Sequence, residues 1–194
     1  MNRDLKAFLI LTGTALVLSI GAFVGLAHGS EDLECEGATH CVLMLFPRHV
    51  SDKDEPGADR WERLKRIADG VDAATAKRVE RAWLIQTAWH ESRLARYVDL
   101  DQPRCRDGEK GVCDGGKAAT VFQLHNTRRN LSKKEAAARA STVFRRAGNY
   151  CRSEGEDYFL GGTAHYARGG RHCTWADAEK RVALMWKISW RLGQ

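Results

Sequence analysis

The segment RAWLIQTAWHESRLAR, residues 81–96, carries a helical pattern with a carboxyl group on it. Wound at about 3.6 residues per turn, it puts Leu84, Ala88, Glu91 and Ala95 on one stripe, with Ile85 and Leu94 beside it. Gln86, His90 and Arg93 fall on the opposite, polar side. The apolar stripe is a core-facing helical surface, and it carries one carboxyl group, Glu91. A carboxyl group withdrawn from water disfavours its charged form. A carboxyl that keeps its proton near neutral pH can give it to a leaving oxygen. The plainer alternative is a glutamate at a helix end that reaches water or pairs with an arginine.

Outward from this stretch the helical pattern continues. Residues 58–69 read as a short helix stopped by Gly70, and Asp72 as the N-cap of a helix running to about Tyr97. Residues 98–116 form an Asp- and Gly-bearing loop. Ser132 and Glu135 make a capping-box pattern that opens a helix ending near Gly148. Thr174 and Asp177 start another, with Val182, Met185, Trp186 and Ser189 at helical spacing. Trp83, Trp89, Trp175, Trp186 and Trp190 read as core side chains, with sugar stacking as the rival, and Trp61 is ambiguous. No alternating strand series stands out. The expected class is all-α, with room for a short hairpin. Residues 28–57 read as an N-terminal strap, in which Val42–Phe46 forms an apolar patch, and 58–194 as the main domain.

Arg3 and Lys6 precede an uncharged apolar run over residues 7–27. This is a signal peptide or a membrane anchor, and either places the rest of the chain outside the cytoplasm, periplasmic or extracellular. The six cysteines, Cys35, Cys41, Cys105, Cys113, Cys151 and Cys173, all follow that run. An even count in an exported chain suggests disulfides, and neighbours are the simplest pairing: Cys35–Cys41, Cys105–Cys113 and Cys151–Cys173. No C-x-x-C pair and no H-E-x-x-H occurs, so neither a metal nor a cofactor is expected. The net charge of +6 favours acidic polymers. The basic pairs Arg128-Arg129, Lys133-Lys134 and Arg145-Arg146 lack interleaved aromatics, so no nucleic-acid partner is expected. Nothing points away from a monomer.

Three segments carry more. Glu91-Ser92 lies near a helix end, GGKAATVFQLH follows at 115–125, and AHYARGG covers 164–170. Their order resembles the soluble lytic transglycosylase and goose-type lysozyme group, in which a Glu-Ser pair precedes a Gly-Ala-x-Gly-Leu-Met-Gln-like and an Ala-Tyr-Asn-x-Gly-like segment. Ala118, Gln123, Leu124, Tyr166 and Gly169 match. Lys117 and Thr120 stand where glycines are usual, Phe122 for Met, His165 for Ala and Ala167 for Asn. The resemblance covers roughly residues 75–190. It implies a lysozyme-like fold and cleavage of the β-1,4 bond between the amino sugars of peptidoglycan glycan strands. Glu91 would be the acid/base and Ser92 a helper that positions it or the substrate. Gln123 would line the sugar cleft, and the Tyr166 hydroxyl would reach toward the carboxyl. The group contains transglycosylases, which use one glutamate and the substrate's own hydroxyl, and hydrolases, which use loop aspartates to activate water. Asp99, Asp101, Asp107 and Asp114 are the loop candidates. The transglycosylase route is the expectation; a protein that binds wall glycan without turning it over is the alternative from another class.

Overall fold

The computed structural model describes residues 34–99, 118–125 and 131–194, and residues 34–194 form one compact unit. The apolar run at 7–27, Asp101, Asp107 and Asp114, and the Cys105–Cys113 pairing lie outside the described residues.

Six helices of eight or more residues are described: α1 (Gly37–Met44), α2 (Gly57–Ala74), α3 (Arg78–Ser92), α4 (Lys133–Ser153), α5 (Tyr158–Arg168) and α6 (Ala176–Arg191). A 3-10 turn covers Val50–Asp52, a helical turn covers Arg96–Asp99, and two short strands pair antiparallel: β1 (Ala118–Ala119) and β2 (Leu124–His125). The all-α expectation, with its small hairpin, stands. Among the described residues no helix is long and apolar enough to cross a membrane.

Part of the expected strap is helix. The Val42–Phe46 patch is helical through Met44, and α1 packs on α2. Its first turn is closed by Cys35–Cys41, and Thr39 Oγ1 donates to Asp72 at 2.6 Å. That bond, with one from Arg81 at 3.0 Å, shows where the N-cap reading of Asp72 fails: the residue belongs to α2, and its carboxylate ties α1 and α3 to it.

Gly70 does not end α2; it lets α4 in. A Cβ there would come within 2.6 Å of the Lys133 Cβ and 2.7 Å of its carbonyl carbon. Gly148 likewise sits inside α4, against the Tyr158 ring, where a Cβ would meet a ring carbon at 2.6 Å. Both glycines therefore mark close approach and not helix termination. The start of α4 follows the pattern read from sequence: Ser132 Oγ accepts from Glu135 N at 3.2 Å while Glu135 Oε2 accepts from Ser132 N at 3.0 Å.

Helix α3 is buried almost all round. Residues 82–88 are all buried, so Gln86, read as polar surface, is in fact inside the core. A helix covered on every side has no wet face for its middle turns, which is why a one-stripe reading failed there. Trp83 is the hub. Its ring stacks on Phe144 of α4 at 4.0 Å, meets Tyr166 of α5 edge-on at 5.0 Å, and its Nε1 donates to Thr163 Oγ1 at 3.2 Å. Fully burying such a ring stabilises the fold by about 3 kcal/mol. Cys151–Cys173 then ties the last turn of α4 to the segment between α5 and α6. Closing a chain loop of that span contributes about 3 kcal/mol in the chain-entropy account.

Candidate active site

The end of α3 is set by two successive left-handed residues, Arg93 at φ 52° and Leu94 at φ 54°. Non-glycine residues resist this conformation, so something must hold it. Ser92 does so from inside. Its Oγ donates to Ala88 O at 2.7 Å and accepts from Leu94 N at 3.1 Å. From outside, Arg63 Nη1 donates to Leu94 O at 2.6 Å, and Asp52 Oδ2 accepts from Arg96 N at 2.7 Å. Arg63 is itself gripped by Glu55 through two bonds of 2.8 Å. All three charged side chains of this cluster are buried. Ser92 therefore positions the helix end that carries Glu91, with its hydroxyl proton already committed.

Leu84, Ala88 and Ala95 are buried, as the stripe required, and Glu91 stands among them half-buried. Its carboxylate pairs with Arg181 of α6, whose side chain is 13% exposed against 19% for Glu91. Arg181 lies over the Trp175 ring, 4.7 Å from its centroid. The glutamate is thus partnered by an arginine rather than isolated among apolar groups. Beside it, His90 is held down to about 4 by burial first, then by the charges of Arg181 and Arg93, with Asp177 opposing. His90 is therefore neutral near pH 7.

The second and third segments meet each other here. Residues 120–123 turn between β1 and β2, and Thr120 and Gln123 are both left-handed, at φ 66° and 49°. Thr120, in a place where glycine is usual for the resembled group, keeps the conformation that glycine would ease. Gln123 donates from Nε2 to Thr120 O at 3.1 Å, so its amide braces the turn. The Tyr166 hydroxyl donates to Phe122 O at 2.8 Å, joining α5 to that turn. Its proton is directed to Phe122 and not to Glu91. Tyr166 is nonetheless close enough to sense the carboxylate: burial, and behind it the Glu91 charge, push its hydroxyl above the ordinary tyrosine value. Glu91, Ser92, Gln123 and Tyr166 are thereby linked through α3, the turn and α5.

Sequence reading missed Arg181, His90 and the Arg63–Glu55–Asp52 cluster. Arg181 precedes Val182 in the helical series of α6, and nothing local tells which basic residue of that helix turns inward. Two of the tryptophans read as core are exposed, Trp186 at 48% and Trp190 at 63%, because α6 buries its Ala178, Val182, Met185 and Ser189 face instead. Among the described residues, the group able to share a cation is Cys151, His165 and Cys173. Comparison of the chain with protein-family profiles, with curated proteins and with solved structures found no match.

Proposed function

We propose that the chain is a lysozyme-like enzyme that cleaves the β-1,4-glycosidic bond of peptidoglycan, with Glu91 as its acid/base. The observation that carries this reading is the convergence of three segments far apart in sequence. Glu91 ends α3, Tyr166 packs against the same helix through Trp83, and the Tyr166 hydroxyl is bonded to the turn that holds Gln123. A half-buried carboxylate on a helix end of fixed backbone is what proton transfer to and from a glycosidic oxygen needs.

Glu91 first donates a proton to the leaving oxygen and then, as carboxylate, removes one from the attacking hydroxyl. In the transglycosylase route that hydroxyl belongs to the substrate's own sugar, and an anhydro end results. Asp99, one of the four loop aspartates, is buried and joined to Lys133 at 2.5 Å, so it is engaged in structure and not free to activate water. The transglycosylase route is the one proposed; the other three aspartates lie outside the described residues. Ser92 and Gln123 act by fixing backbone; Tyr166 fixes the turn against α5.

The ion pair with Arg181 favours a second reading, a wall-glycan-binding protein without turnover, since the carboxylate is already engaged by a charged partner. One experiment separates them. Purified peptidoglycan is digested with the native chain and with Glu91→Gln, and the products are read by mass spectrometry. The enzyme reading expects anhydro-muramyl ends from the native chain and a loss of about a thousandfold in rate for Glu91→Gln. Equal wall binding by both, with no new ends from either, leaves the binding reading. Reducing ends in place of anhydro ends make it a hydrolase.

The envelope setting is part of the same proposal. Two disulfides are consistent with an exported chain. A basic protein would concentrate on acidic wall polymers.

A further inference from the structure

Cys151 lies in the last turn of α4, His165 lies in α5, and Cys173 follows it in the segment before α6. No sequence motif joins them, since they are separated by 14 and 8 positions, yet their ligand atoms all lie within 4.8 Å of one another. Cys151 is fully buried, while Cys173 is half-buried. His165 Nδ1 is buried with no hydrogen-bond partner. A buried imidazole nitrogen left without a partner costs free energy and needs a reason. Tyr150 meets the His165 ring edge-on at 5.8 Å, so the ring is held in place without using that nitrogen.

We propose that this cluster is a redox-gated zinc site: oxidised it is the Cys151–Cys173 disulfide, and reduced it binds Zn2+ through both thiolates and His165 Nδ1. A dithiol supplies two electrons and two protons to the sulfur–sulfur bond and leaves as its own disulfide. Zn2+ then displaces the two thiol protons to solvent, and water takes the fourth position. Tetrahedral zinc with sulfur at about 2.3 Å sets its sulfurs about 3.8 Å apart. The Cα atoms, 5.4 Å apart, already sit at a spacing from which side-chain rotation can open the sulfurs that far. The nitrogen needs no new element to reach them. The same two backbone positions are then tied together in either redox state, which keeps α4 joined to the α5–α6 segment. This inference is independent of what Glu91 does.

The test uses the full-length chain in detergent, reduced with excess dithiol, freed of it under nitrogen and titrated with Zn2+. Thiols are alkylated and mapped peptide by peptide. One equivalent of zinc is expected to protect Cys151 and Cys173 together while Cys35 and Cys41 stay reactive. Co2+ in place of zinc is expected to give thiolate charge-transfer absorption. His165→Ala and His165→Gln are expected to weaken protection by at least about tenfold. Zinc is expected to raise the Tm of the reduced chain and leave that of the oxidised chain unchanged. Absence of protection, protection shared equally with Cys35 and Cys41, or protection undiminished in both His165 variants overturns the proposal.

Discussion

The two sides of the turn after Glu91 are built differently. On the scaffold side, Arg63, Glu55, Asp52 and Ser92 hold Leu94 and Arg96 through bonds of 2.6–3.1 Å, with the charged groups sealed from water. On the working side, the Glu91 carboxylate has one partner among the described residues, Arg181, and both side chains keep some exposure. The backbone that aims the carboxylate is thus over-determined, and the carboxylate itself is held by a contact that a ligand could replace. Buried charge networks resist the loss of any member because the remaining charges have no water to turn to. A single pair within reach of water is easier to exchange.

Substitutions on each side test this contrast. The largest effect is expected from Arg63→Ala, which strands the Glu55 and Asp52 carboxylates and frees the Leu94 carbonyl; it should cost about 3–5 kcal/mol in denaturant unfolding. A loss below about 1 kcal/mol would mean that the turn is held otherwise. Arg181→Ala should cost only about 1 kcal/mol by the same measurement, because Glu91 can then be hydrated. Comparable losses for the two arginines would erase the distinction between the sides. A third effect is a pH slope. His90 is depressed in the folded state from 6.5 to about 4, so the unfolded chain binds the extra proton first, and its share of stability, present above about 6.5, is lost as the pH falls toward 4. Tm followed from pH 7 to 4.5 should fall more steeply for the native chain than for His90→Gln; parallel curves would contradict the assignment.

Much of the helical skeleton was legible because period and caps are local signals. The Ser132–Glu135 box and the Leu84–Ala88–Ala95 stripe read correctly for that reason. Gly70, Gly148 and Asp72 misled because the same residue types that stop or start helices also serve where helices touch. Close approach is a tertiary fact with no local mark. The same holds for the site. Glu91 could be singled out from its own helix, but Arg181 could not, as its inward turn depends on how α6 docks. The Arg63–Glu55 fork lay unread in a stretch that shows only scattered charges.

The pairing of Glu91 with Arg181 also dictates when the site comes into being. The two residues stand 90 positions apart, and the arginine sits on the sixteen-residue α6. A contact of such long sequence separation carries a large loop-closure cost. A chain synthesised from its N-terminus carries Glu91 well before its counterion exists. The pair therefore forms only once α6 has docked, and a chain stalled short of that helix would present a carboxylate without its arginine.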